Sequence, residues 1–212
     1  MRLTNLIILL ILFTSCESKK SADTEKIEPN CQDPDFDNQE FGLKLCISPN
    51  WQIVPKSEYP NMVQQAEENI EIEGGYLPKE ENRTQRVSTE LLLSITPDGE
   101  FGSLPTISIA ATPIDNRSKV KTASERLEQT NAQMEQLLGN TKFKFSAITP
   151  MNIGGRQFMQ RTVEIIWSNE ESSFQLTYVT VMNNHFISLI VDYSDPNQLD
   201  EIVEQVEKLN IN

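Results

Sequence analysis

An α+β domain, one antiparallel sheet covered by helices, is what the sequence predicts for the folded part of the chain. Three observations predict it. Four strand-patterned segments follow one another closely in the last third, with space between them for turns alone, so they form an antiparallel meander. Three further strand patterns lie earlier in the chain. Between and after them come amphipathic segments with helix start and stop signals.

The first strand is read over 41–47, where Phe41, Leu43, Leu45 and Ile47 take one face and Cys46 takes the other. Ser48, Pro49, Asn50 and Trp51 close it, and a short apolar stretch runs on to Val54. Pro60 suits the first turn of a helix, with Met62, Val63, Ala66 and Ile70 on one face before Gly74 and Gly75 stop it. Residues 76–86 are charged and aperiodic, an exposed loop. Strands over 89–96 and 106–111 flank the turn-rich stretch PDGEFGSLP. Thr122 and Glu125 form a capping box for a helix to Leu138, with Leu127, Met134, Leu137 and Leu138 apolar and Gly139 as its stop. The meander comprises 142–148, 157–167, 174–182 and 185–193, with turns at 169–172 and at Asn183 and Asn184. Asp195 and Pro196 open a last helix over 199–209 that turns Ile202, Val203 and Val206 inward.

Ahead of this domain stands a different kind of sequence. A single basic residue, Arg2, precedes an uncharged apolar run from Leu6 to Phe13. This is the plan of a secretory signal. The run is well short of the ~20 residues that a membrane-crossing helix needs. Phe13, Thr14, Ser15 and Cys16 resemble the lipobox of bacterial lipoproteins, with Phe where Leu is commonest. The resemblance implies diacylglycerol on the Cys16 thiol, cleavage after Ser15 and, usually, acylation of the new amino group. Burial at ~0.8 kcal/mol per methylene makes two or three acyl chains an effectively permanent anchor. The other reading is an ordinary cleaved signal with a chance cysteine. The stretch ESKKSADTEKIEPN behind Cys16 has no apolar period and is predicted to be a flexible tether. The chain thus divides into a signal peptide at 1–15, a lipidated cysteine and tether at 16–30, and one domain at 31–212.

The formal charge is -13, and removing the leader deletes only Arg2, so the mature chain is one unit more negative. Binding of nucleic acid through a basic face is excluded by that balance. With Cys16 lipidated, Cys31 and Cys46 remain. In an exported protein they predict a disulfide, whose loop of about fifteen residues is worth about 3 kcal/mol in the chain-entropy picture. Two free thiols are the alternative.

A strand ending in Ser48, Pro49, Asn50 and Trp51, a middle helix, then Ile153, Gly154 and Gly155 leading into long antiparallel strands and a terminal helix, resembles the PsbP-like superfamily. That group includes a photosystem extrinsic subunit and DcrB-like envelope lipoproteins. The resemblance covers most of residues 40–211 and implies a layered sandwich, serving as a noncatalytic accessory or partner-binding domain. Residues 76–86 and the segment carrying Cys31 depart from that pattern.

No motif in the sequence assembles chemistry. Asp33, Asp35 and Asp37 alternate like the first ligands of a calcium loop, yet Asn38 stands where such a loop has Gly and Lys44 where it has a bidentate Glu. The plain reading is a solvated acidic turn. His185 is the one histidine, too few for a His-based metal cluster, and it reads as a turn residue. Gly154 and Gly155 open no helix and shape a turn or bulge. Trp51 and Trp167 read as core or corner aromatics, and Glu67, Glu68, Glu71 and Glu73 as a solvated helix face. No catalytic residue, cofactor or metal is therefore assigned.

The expectation is a noncatalytic lipoprotein of the cell envelope, anchored by lipid to the inner or outer membrane. Its domain faces the periplasm and has an envelope protein as partner. A binder of a small or hydrophobic ligand, built around Met151, Phe158, Met159 and Met182, is the alternative. An enzyme is a third reading, and it requires Glu164, Glu170 or Asp192 to converge in a cleft.

Overall fold

Alternating apolar residues bury one strand face at a time, and among the described residues they do so in two sheets. The computed structural model describes residues 33–60, 89–100, 102–137 and 141–211, all within one unit, Cys31–Asn212. A small sheet holds β1 (Phe36–Asn38), β2 (Leu43–Leu45) and β11 (Leu209–Ile211), with β2 in the middle. The large sheet holds β3 (Gln52–Ile53), β4 (Glu90–Thr96), β5 (Thr106–Pro113), β6 (Lys142–Phe145), β7 (Thr149–Ile153), β8 (Arg156–Ile166), β9 (Ser172–Met182) and β10 (His185–Tyr193). Its order is β3, β4, β5, β10, β9, β8, β6, with β7 also paired to β8. Every pairing is antiparallel.

Two α-helices lie within the described residues, α1 (Ala123–Leu137) and α2 (Leu199–Glu207). The expected α+β domain, one antiparallel sheet covered by helices, is therefore corrected to a β-rich fold of two antiparallel sheets. The reason lies in three stretches that carry little strand pattern: 36–38, 149–153 and 209–211 each gain a partner strand only in the folded chain. One face of the large sheet is covered by the small sheet together with α2. Phe41, Leu43, Leu45, Ile202, Val206 and Leu209 pack there against Ile95, Ile109, Phe158 and Leu189. Each fully buried side chain of this size contributes about 1.5–3 kcal/mol. On the opposite face, Leu127 of α1 packs with Val179, Phe186 and Ile114.

Local signals place several elements where the sequence put them. Thr122 caps α1: its Oγ1 accepts from the Glu125 N–H at 3.2 Å, and the Glu125 carboxylate accepts from the Thr122 N–H at 2.9 Å. Asn183 and Asn184, at φ +46° and +60°, make the two-residue turn joining Met182 to its partner His185. Gly154 and Gly155, at φ +54° and +79°, do the same between Ile153 and Arg156. The last helix ends at Glu207, two residues short of its expected end, because Leu209 enters β11. Tyr59 and Pro60 are helical, with Pro60 in the first turn as expected; the rest of that helix, with its glutamate face, and the loop at 76–86 lie outside the described residues, as do the signal, Cys16, the tether and Cys31. Among the described residues no helix is long and apolar enough to cross a membrane.

Candidate functional site

The residues singled out by sequence are mostly engaged locally. Asp35 accepts from the Ile47 N–H at 2.8 Å, and Asp37 lies 3.9 Å from the Lys44 ammonium. Lys44 on β2 is thus the cross-strand counterion of Asp37 on β1. Among the described residues no group of three or more His, Cys, Asp or Glu side chains is placed to hold a metal. His185 Nδ1 lies 2.8 Å from the Asn183 carbonyl, and its ring meets Phe41 edge-on at 5.1 Å. The histidine closes its own turn.

The three carboxylates considered for an enzyme do not converge. Glu164 pairs with Phe174, and Asp192 pairs with Gln175. Since Phe174 and Gln175 are consecutive, Glu164 and Asp192 stand on opposite faces of the sheet. Glu170 is in the β8–β9 turn at φ +68°. Asp192 accepts from Gln175 Nε2 at 2.8 Å, and burial pushes its carboxyl above the ordinary carboxylate range against the lowering effect of that bond. The same alternation divides the residues considered for a ligand pocket. Phe158, Met182 and Met151 belong to the core between the sheets, whereas Met159 packs beneath α1. Trp51 is buried in the first core, and Trp167 is half-buried with its Nε1 donating to Ser173 at 2.9 Å.

A polar clamp that the sequence did not reveal joins α2 to the end of β2. Gln205 is 1% exposed; its Oε1 accepts from the Ser48 N–H at 2.9 Å and from the Ser48 hydroxyl at 2.6 Å, and its Nε2 donates to the Cys46 carbonyl at 2.9 Å. Lys208 donates to Ser48 Oγ and to Glu204 at 3.0 Å. The spacing of Ile202, Gln205, Val206 and Leu209, on one helical stripe, was the available signal. Cys46 itself is disulfide-bonded, with its other half outside the described residues.

The second feature missed is the edge of the large sheet. Among the described residues β6 is its terminal strand; it reads Lys142, Phe143, Lys144, Phe145, with exposed lysines and half-buried phenylalanines. The phenylalanine rings stack at 5.8 Å, and the Arg161 guanidinium lies 5.4 Å from the centre of the Phe145 ring. Lys144 meets Glu164 at 3.1 Å. Past the strand, the Ser146 N–H donates to the Thr162 carbonyl at 2.9 Å, the Thr162 N–H donates to Ser146 Oγ at 3.0 Å, and Arg161 Nε donates to the Ser146 carbonyl at 3.0 Å. Ser146 is therefore turned toward β8. Alternation then turns the backbone groups of Lys144 and Lys142 toward β8 as well, and those of Phe145 and Phe143 outward. The period-2 pattern was legible, but its place at an edge was not.

No protein-family description matches the chain by sequence, and no characterised protein does either. In structure it is similar to cyanobacterial PsbP from Synechocystis sp. PCC 6803, with a TM-score of 0.47, 11% identity, and 84% of this chain and 91% of that chain covered. It is also similar to LpqN, a protein involved in cell envelope biogenesis of Mycobacterium tuberculosis, with a TM-score of 0.42, 14% identity, and 80% and 83% covered.

Proposed function

We propose that this chain is a lipid-anchored accessory protein of the bacterial cell envelope whose domain binds another protein and performs no catalysis. The observation that carries the reading is the run Phe13, Thr14, Ser15, Cys16 directly behind the apolar stretch that begins at Leu6. Cys16 takes the lipid, residues 17–30 span the gap, and the domain works within the reach of that tether on the outer side of a membrane. Cys46 finds its partner in Cys31, a bridge that belongs to an oxidising compartment. Support for a noncatalytic role comes from the divergence of Glu164 and Asp192 on two sheet faces and from the local engagement of His185.

Photo-crosslinking of the full-length chain in cells tests the reading. Recovery of one envelope protein far above its abundance is expected, and it is lost when the lipid anchor is removed. Recovery of membrane proteins merely in proportion to their abundance contradicts it.

A further inference from the structure

We infer that β6 is a strand-addition site, whose outer edge takes an extended polypeptide segment of alternating acidic and apolar residues. This rests on the protein-binding reading above and names the surface and the chemistry of the partner.

The geometry of the edge carries the inference. Phe143 and Phe145 direct their N–H and C=O groups away from β8, which is the ladder an incoming strand pairs with. Side chains alternate about that ladder: Lys142 and Lys144 on one face of the sheet, Phe143 and Phe145 on the other. A strand added here places its own alternating residues beside these, so acidic side chains meet the lysines and apolar ones extend the stacked rings. The Lys144–Glu164 contact is at the surface, with side-chain exposures of 65% and 29%, and an exposed pair of this kind is worth at most about 1 kcal/mol. It yields readily to a new carboxylate.

The other edges of the large sheet suit this less. β3, at the far end of the large sheet, has two residues. β7 contains Pro150, which has no N–H to offer, and its turn at Gly154 lies against β11. A second copy of the chain is also disfavoured at β6. Twofold antiparallel pairing keeps the two faces in common, and so sets Lys142 and Lys144 of one copy against those of the other, where like charges repel.

The test uses the full lipidated chain in detergent and two synthetic peptides of about eight residues, near the common strand length. One alternates glutamate with valine, and the other alternates lysine with valine. Binding is followed by calorimetry, and backbone protection by hydrogen exchange. The expected result is binding of the glutamate peptide alone, with new protection at Phe143 and Phe145. Phe145→Pro, which removes an outward N–H while leaving those that face β8, weakens binding at least tenfold; Phe145→Ala keeps the N–H and weakens it less. The double variant Lys142→Glu and Lys144→Glu transfers preference to the lysine peptide. Equal binding of both peptides, no binding, or protection that appears elsewhere overturns the inference. So does protection at Phe143 and Phe145 that appears with anionic vesicles and not with the peptide, since the patch then faces lipid. A chain that carries lipid but binds no peptide defeats this inference alone, whereas a chain without lipid that binds the glutamate peptide defeats the anchoring reading alone.

Discussion

Gly154 and Leu209 touch so closely that a single methyl group does not fit between them: a Cβ on Gly154 would lie 2.5 Å from the Leu209 carbonyl oxygen and 3.0 Å from the Ile211 nitrogen. The tip of the β7–β8 hairpin thereby abuts β11 of the small sheet. The neighbouring Gly155 has nothing within 4 Å of the same position.

Both glycines have positive φ, so the pair separates backbone strain from crowding. Gly155→Ala is expected to cost about 1 kcal/mol, the strain of a left-handed residue. Gly154→Ala adds overpacking of about 1–3 kcal/mol to the same strain. Urea unfolding of the two variants reads the difference. Equal losses contradict the close approach.

Gln205→Leu keeps the volume of the buried side chain and removes its bonds to Ser48 and to the Cys46 carbonyl. Loss of these buried bonds is expected to cost about 2–4 kcal/mol in urea unfolding. A loss below about 1 kcal/mol means that water replaces the clamp.

Stability should depend on pH in two opposed ways. Asp192 has its carboxyl raised above the ordinary 3.8 by burial, so its contribution is full below that value and is lost as pH rises through the higher folded value. Asp98 is held below 3.8 by bonds from the Glu100 N–H, Ser103 and Thr96, and Glu125 below 4.5 by the N–H groups of Lys121 and Thr122. Their contributions are present above those ordinary values and are lost as pH falls. Melting temperatures measured from pH 3 upward should therefore show Asp192→Asn gaining on the wild type as pH rises past about 4, where an unperturbed Asp ionises. A constant difference across that range contradicts the assignment.

The proposed Cys31–Cys46 bridge predicts that Cys31→Ser and Cys46→Ser lose the same stability, about 3 kcal/mol each for a loop of this length. Unfolding of both single variants, and of the double, checks it. Losses that add in the double variant mean that the two cysteines do not share a bond.

Much of this fold is legible in the sequence where a local rule acts. The capping box at Thr122 and Glu125, the Asn183–Asn184 turn and the alternation through Phe41, Leu43 and Leu45 all appear where their residues placed them. What escapes is nonlocal. Leu209 continues the apolar period of α2 and looks helical until β2 captures it. The segment 149–153 contains a proline and little pattern, and becomes a strand because β8 offers it an edge. The polar Gln205 is buried because three groups near the end of β2 await it. Sheet order, which puts Lys142–Phe145 at an edge, is likewise a property of the whole chain. That is why the residues of the inferred docking edge were readable and their role was not.

The most direct test of the central claim is the intact mass and membrane partition of the chain expressed in a bacterial host, compared with Cys16→Ala. The expected mass corresponds to cleavage after Ser15 with acyl chains on Cys16, and both the added mass and membrane association disappear in the variant. A wild-type protein recovered as a soluble, cleaved and unacylated chain contradicts the claim.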